Sequence, residues 1–207
     1  MARSAAMIRR RTAGEAGARD GRLARSERSR EAIVEAMLAL VGEGAVSPTA
    51  EQVAERARVG IRSVFRHFRD MESLFAAMDA RIEADVAPRF AGPPPAGSPE
   101  ARLRALVARR CRLYAAIAPY HRASALRRPD SPFLRGRQAA LARRLRAELR
   151  RWLPELERAP DALLEGLDLL TSFEAWDRLR SEQRLGPARA RAVLERAALA
   201  LWGAERR

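Results

Sequence analysis

The sequence predicts an all-α fold, and three observations carry that prediction. Apolar residues recur at the three-to-four spacing of a buried helix face along most of the 207 residues. No stretch alternates apolar and polar residues as a half-buried strand does. Proline and glycine fall where the periodic stretches stop, and no internal repeat is present. The expected layout is an N-terminal three-helix domain with a helix-turn-helix, followed by a C-terminal helical domain, about nine helices in all.

Residues 1–27 read as a disordered basic tail of Arg, Ala, Gly and Ser without periodicity, either merely solvated or a basic arm that contacts DNA. A first helix is expected from about Ser29 to Glu43, with Ile33, Ala36, Met37, Leu40 and Val41 on one face and Gly42 and Gly44 ending it. A second begins near Thr49, where Thr49 and Gln52 match a capping box and Ser47-Pro48 offers an alternative start with Pro at the first helical position, and turns inward Val53, Ala54 and Ala57. Arg58-Val59-Gly60 is the turn, with Val59 as its apolar plug. The third helix covers about Ile61 to Phe68 and offers Ile61, Val64, Phe65 and Phe68 for packing. The fourth starts at Asp70 or Met71 and carries Leu74, Phe75, Met78 and Ile82. Four prolines and two glycines between Arg89 and Glu100 then impose a long loop. Beyond it, helices are expected over 99–117, 119–128, 132–153, 160–184 and 187–203, with a break at Pro119. The domains divide as 1–27 tail, 28–86 DNA-binding domain with the helix-turn-helix at about 49–68, and 87–207 regulatory and dimerisation domain.

Composition bounds the function. No run of about 18 apolar residues exists, so neither a membrane span nor a membrane partner is expected. A single cysteine, Cys111, allows no internal disulfide and fits a cytoplasmic location; it reads as a small buried filler. The net charge is +14, yet residues 28–87 are net −2 and residues 88–207 net +12. What matters in the helix-turn-helix is local placement: Arg56, Arg58, Arg62, Arg66 and Arg69 follow Glu55 with no acid before Asp70. All forty basic residues are arginine, which we attribute to coding bias.

A recognition helix must present polar side chains from its first turns to base edges and phosphates. Arg62, Ser63 and Arg66 stand in those places, with His67 just behind as a phosphate donor, a cap or a packing residue. Arginine can fork onto guanine O6 and N7 or grip phosphate. Thr49, at the start of the supporting helix, can direct its hydroxyl and backbone N–H to a phosphate. Phe65 is expected mainly in the core, near its DNA side. The candidate DNA-binding set is Thr49, Arg58, Arg62, Ser63, Phe65, Arg66, His67 and Arg69. No nucleophile elbow, Gly-rich phosphate loop or paired His/Cys metal spacing is present, and only His67 and His121 are available as imidazoles, so an enzyme is not expected. No metal or cofactor is called for.

The segment from Arg28 to Phe75 resembles the N-terminal domain of TetR-type transcriptional regulators. The likeness lies in the helix from Ile33 to Val41, Gly44, Thr49, Val53-Ala54 and Val59. It continues through Ser63-Val64-Phe65-Arg66-His67-Phe68, set against the family's threonine, leucine, tyrosine, any residue, histidine and phenylalanine, and through Glu72 and Leu74-Phe75. Four positions depart from the pattern. Arg58 stands where the family has a turn glycine, Gly60 where it has a capping serine, Phe65 where it has tyrosine and Met71 where it has lysine. The last two remove side chains that commonly touch phosphate, a loss that Arg62, Arg66 and Arg69 can offset.

The resemblance implies a homodimer, built on the last two long helices, that binds a palindromic double-stranded DNA operator as a repressor and responds to a small-molecule effector. The residues independently allow the dimer. Helix 160–184 is apolar around much of its circumference, and the final helix is similar, so one face can meet the core and another a partner. Leu163, Leu167, Leu170, Leu194, Leu201 and Trp202 are the candidate interface residues. Two-fold symmetry then spaces the recognition helices by about 34–36 Å or a multiple. Tyr114, Ile117, Tyr120, His121, Phe133, Trp152, Phe173 and Trp176 are candidates for lining an effector pocket, each also an ordinary core residue. From Arg102 to Arg151, fifteen arginines face only Asp130 and Glu148, which places most of them on solvated faces or draws an anionic ligand or flanking DNA. The competing reading is a ligand-independent architectural or protein-interaction factor using the same DNA domain.

Overall fold

The computed structural model describes residues 23–204, and among them every regular element is helical. The helices are α1 (23–42), α2 (Ala50–Ala57), α3 (Ile61–His67), α4 (Met71–Val86), α5 (Pro99–Arg127), α6 (Pro132–Trp152), α7 (Asp161–Leu170), α8 (Phe173–Asp177) and α9 (Pro187–Ala204). Among the described residues the fold is all-α. Two compact units result, with the boundary between Asp79 and Ala80 inside α4.

In the N-terminal unit, Ile33, Met37 and Val41 of α1, Val53 of α2, Val64 of α3, and Leu74, Phe75 and Met78 of α4 are all essentially buried. Short helices gain their stability from such packing, since α2 and α3 are too short to persist alone. Local signals set their limits. α1 ends with the Gly44 N–H on the Val41 carbonyl (3.0 Å) and the Ala45 N–H on the Leu40 carbonyl (2.9 Å), with Gly44 left-handed at φ 101°. Asp70 caps α4: its Oδ1 accepts the Ser73 N–H at 2.8 Å, and the Ser73 hydroxyl donates to the Asp70 carbonyl at 2.7 Å. α1 reaches back to residue 23, six residues earlier than periodicity indicates, over residues expected to be tail. Leu23 to Arg28 are exposed and bury nothing, so no apolar pattern marks them. The expected tail before residue 23 lies outside the described residues.

In the C-terminal unit, α5 packs against α9, α6 and α8, and α7 lies on α9. One core joins Leu103, Leu106, Val107 and Tyr114 of α5 to Leu149 and Trp152 of α6, Leu163, Leu164 and Leu167 of α7, Phe173 and Trp176 of α8, and Leu194, Ala198 and Trp202 of α9. Two expectations fail here. α5 runs unbroken through Pro119, because buried Tyr114, Ala118 and Ala123 on either side hold the helix where one missing hydrogen bond would otherwise end it. The expected helix 160–184 is instead broken at Thr171-Ser172: α7 stops, Ser172 caps α8 by accepting the Ala175 N–H at 3.2 Å, and a π-helical turn follows over Arg178–Glu182.

The break has a tertiary cause. The Thr171 carbonyl, released from the helix, accepts the Tyr114 hydroxyl at 2.7 Å and Arg110 Nη1 at 3.3 Å. Arg110 is 1% exposed, and its guanidinium also donates to Thr171 Oγ1, the Leu145 carbonyl and Glu148. Glu148 binds Arg109 at 2.8 Å as well. Several arginines of the arginine-rich stretch thus pair with acids, most of these acids from other parts of the chain. Arg102 pairs with Glu155, Arg122 with Asp177, Arg137 and Arg144 with Glu83, and Arg146 with Glu165 and Asp168. Arg102 and Arg109 also donate to the Gly97 and Phe90 carbonyls, pinning the proline-rich loop that the sequence leaves unstructured.

Candidate nucleic-acid interface

The helix-turn-helix is built from its caps inward. Thr49 closes the capping box on α2: its backbone N–H donates to Gln52 Oε1 at 2.9 Å, and its Oγ1 accepts the Gln52 N–H at 3.3 Å. That bond uses the Thr49 oxygen as an acceptor, while the Thr49 hydroxyl, after the local backbone N–H, helps hold the Glu51 carboxyl below its usual range. α2 ends as α1 does. The Arg58 N–H bonds the Glu55 carbonyl at 3.1 Å and the Val59 N–H bonds the Ala54 carbonyl at 3.0 Å. The turning residue is Arg58, left-handed at φ 54° and ψ 42°, where a glycine is the unstrained choice. Gly60 follows as the N-cap of α3 with no side-chain bond.

α3 is anchored on one stripe. Val64 is 1% exposed, and Phe68 just past the helix end is buried, with the Arg30 guanidinium 5.2 Å from its ring centroid. The neighbouring stripe, Ile61 and Phe65, faces out at 37% and 51% exposure. The core role expected for both is corrected: Val64 and Phe68 fill the contact with the rest of the unit, and a seven-residue helix has no second face to bury. Arg62, Arg66 and Arg69 are exposed, and Arg66 Nη2 donates to Ser63 Oγ at 3.1 Å, which tethers its guanidinium along the outer face. Arg69 pairs with Asp70 at 3.1 Å from an almost fully exposed position.

His67 is half-buried, and its Nε2 is enclosed with no hydrogen-bond partner among the described residues. Burial, then Arg66 and Arg30, push its imidazole below the ordinary range. Neutral and closed in, His67 acts as a packing residue at that nitrogen. Thr49, Arg58, Arg62, Phe65, Arg66 and Arg69 are all exposed and Ser63 half-exposed, so these seven candidates are sterically open to a ligand.

The candidate effector residues scatter differently. Tyr114, His121, Phe173 and Trp176 form one aromatic cluster: Tyr114 meets Phe173 edge-on at 5.6 Å, and His121 stacks on Phe173 at 3.9 Å. His121 Nε2 lies 2.9 Å from Gln138 Oε1, and burial, with Arg128 adding, lowers its basicity. Trp152 is buried and faces the Arg109 guanidinium at 5.3 Å. Ile117, Tyr120 and Phe133 are half-buried. Cys111 is half-buried, and burial pushes its thiol up to about 11. Of the candidate interface residues, Leu163, Leu167, Leu194 and Trp202 are buried in the protomer's own core, while Leu170 and Leu201 are half-buried. The large apolar side chains of α7 and α9 that do stay exposed are Leu169 (69%) and Val193 (41%), both part of the apolar pattern of these helices in the sequence and neither among the candidate interface residues.

Comparison with known proteins is consistent with this geometry. Residues 33–78 match the family model for bacterial regulatory proteins of the tetR family. The fold is similar to the crystal structure of a transcriptional regulator from Rhodococcus sp. Rha1, at 21% identity and a TM-score of 0.62, over 86% of this chain and 96% of that one. It is also similar to that of a putative TetR-family transcriptional regulator from Rhodococcus sp., at 16% identity and a TM-score of 0.58, over 84% and 98%. A search of curated proteins finds no match. The helix-turn-helix with its cationic outer stripe lies inside the segment that this family model covers, so residues 33–78 are similar to bacterial regulatory proteins of the tetR family.

Proposed function

We propose that this DNA-binding transcriptional regulator works as a cytoplasmic, ligand-responsive repressor, a homodimer on a palindromic operator. DNA reading is assigned to residues 28–86, and ligand sensing and dimerisation to 87–207. The observation that carries the DNA-reading role is α3 itself: Arg62 and Arg66 stand on its outer face while Val64 and Phe68 lock its inner one. Arginine forks onto guanine or grips phosphate from such a face. Thr49, Arg58 and Arg69 extend the cationic and hydrogen-bonding surface to the backbone.

Leu169 and Val193 support dimerisation, since they leave apolar area on α7 and α9 after the protomer core is complete. The aromatic cluster of Tyr114, His121, Phe173 and Trp176 supports a sensing site among the middle helices. Glu83, near the C-terminal end of α4, accepts from Arg137 at 2.7 Å and from Arg144, both on α6. Ligand that prefers one arrangement of α6 biases α4 through this clamp, and a shift of α4 changes whether both half-sites can be engaged together. The coupling equals the ligand's differential affinity for the two states, typically about 1–3 kcal/mol.

The test is a salt series. Arg62→Ala and Arg66→Ala each weaken binding to a selected operator, with the slope of log K against log salt reduced by roughly 0.9 where the lost contact is to phosphate. Sedimentation should show the dimer unchanged. Wild-type affinity in both variants at moderate salt would remove α3 from the interface.

A further inference from the structure

The outer face of α3 is cationic in part, and its other part is apolar. Ile61 and Phe65, four residues apart on one stripe, are 37% and 51% exposed, and Arg62 and Arg66 flank them. Phenylalanine has no atom that can donate to a phosphate. An exposed aromatic ring among arginines is therefore poorly used on the sugar–phosphate backbone. In the major groove, the one apolar group on a base edge is the 5-methyl of thymine; adenine, guanine and cytosine present only donors and acceptors there.

Building on the DNA-reading role proposed above, we infer that Phe65 and Ile61 are specificity residues that recognise thymine 5-methyl groups, beside guanines read by Arg62 and Arg66. Charge complementarity brings the duplex to this face, because no acid lies between Glu55 and Asp70. The Ser63 hydroxyl, 3.1 Å from Arg66 Nη2, holds the guanidinium along the helix surface and leaves the ring beside it uncovered. The four-residue spacing corresponds to about 6 Å of helix rise, or no more than about two base steps at roughly 3.4 Å each. Each half-site therefore carries one or two essential thymines within that span, next to a guanine.

The experiment begins with the full chain and a random duplex library, from which bound sequences are selected. Each thymine of the best duplex is then replaced singly by deoxyuridine, which deletes only the methyl, and binding is followed by fluorescence anisotropy. Burial of one methyl corresponds to about fourfold in affinity, so one or two positions per half-site should lose that much. Phe65→Ala and Ile61→Ala should bind thymine and deoxyuridine duplexes alike at the position each reads, Phe65→Leu should keep part of the difference, and Arg62→Ala should keep all of it. Both side chains are exposed, so circular dichroism should match wild type. A selected duplex with no methyl-sensitive thymine overturns the inference, as does a methyl effect that persists in both alanine variants. Those outcomes leave DNA reading itself intact. A chain that binds no duplex fails the proposed function as well, and one that binds all duplexes equally fails base reading only.

Discussion

Arg58 offers the sharpest test of how this reader is built, because the same chain contains its control. α1 and α2 end in the same hydrogen-bond pattern, with a left-handed residue at the same position. In α1 that residue is Gly44, and in α2 it is Arg58 at φ 54°. For an L-residue the left-handed region costs about 1–2 kcal/mol, and glycine gives back about 0.5–1 kcal/mol through its freer unfolded chain. Arg58→Gly should therefore stabilise the N-terminal unit by roughly 0.5–1 kcal/mol, a rise of roughly 2–8 °C in Tm for a unit of this size. Arg58→Ala keeps the Cβ and with it the strain, so it should gain little. Urea unfolding by far-UV circular dichroism, without DNA, measures both. The same glycine variant should bind operator less tightly at low salt, with the salt slope reduced by about 0.9, if Arg58 holds a phosphate. A chain that retains strain at this position then trades stability for contact, as strained residues at functional sites do. A glycine variant less stable than wild type, or an alanine variant that gains as much as glycine, would refute the reasoning.

Three further outcomes follow from the C-terminal unit. Glu148→Ala leaves the buried Arg109 and Arg110 guanidiniums without their carboxylate and should cost about 3–5 kcal/mol, read as a fall in the urea midpoint; a loss below about 1 kcal/mol would show that the pair is not buried as described. His121, whose basicity burial lowers from an ordinary value of 6.5, takes up its proton in the unfolded chain first. Its contribution is present above that value and is lost as pH falls from there through the lower folded-state value, so stability should decline as pH falls below about 6.5, and His121→Gln should flatten part of the slope, with His67 supplying another part. Cys111, with its thiol raised from 9.0 to about 11, should react with a disulfide reagent at about pH 8 roughly a hundredfold more slowly in the folded chain than in urea; equal rates would mean an open thiol.

The parts of this molecule that were legible in the sequence are those decided within a few residues. Gly44, the Thr49–Gln52 box and Asp70 each satisfy helix-end groups from their own neighbourhood, so the three helices they bound could be placed without any knowledge of what packs on them. The C-terminal unit depends on decisions made at long range. Nothing near Thr171 demands a break in an apolar helical stretch, although Ser172 is a serviceable cap once a break exists. What demands it is Tyr114 and Arg110, 57 and 61 residues earlier, which capture the Thr171 carbonyl that an intact helix would have kept. Pro119 is the converse case, a local breaker overruled by its buried flanks. The site divides in the same way. Which residues of α3 carry charge is written in the sequence, but whether Phe65 faces inward or outward depends on Val64 and Phe68 having already filled the contact. The apolar stripe of α3 thus reaches the surface as a consequence of core packing. A base-reading face can acquire methyl recognition from such a surplus, with no change to the helix-turn-helix that presents it.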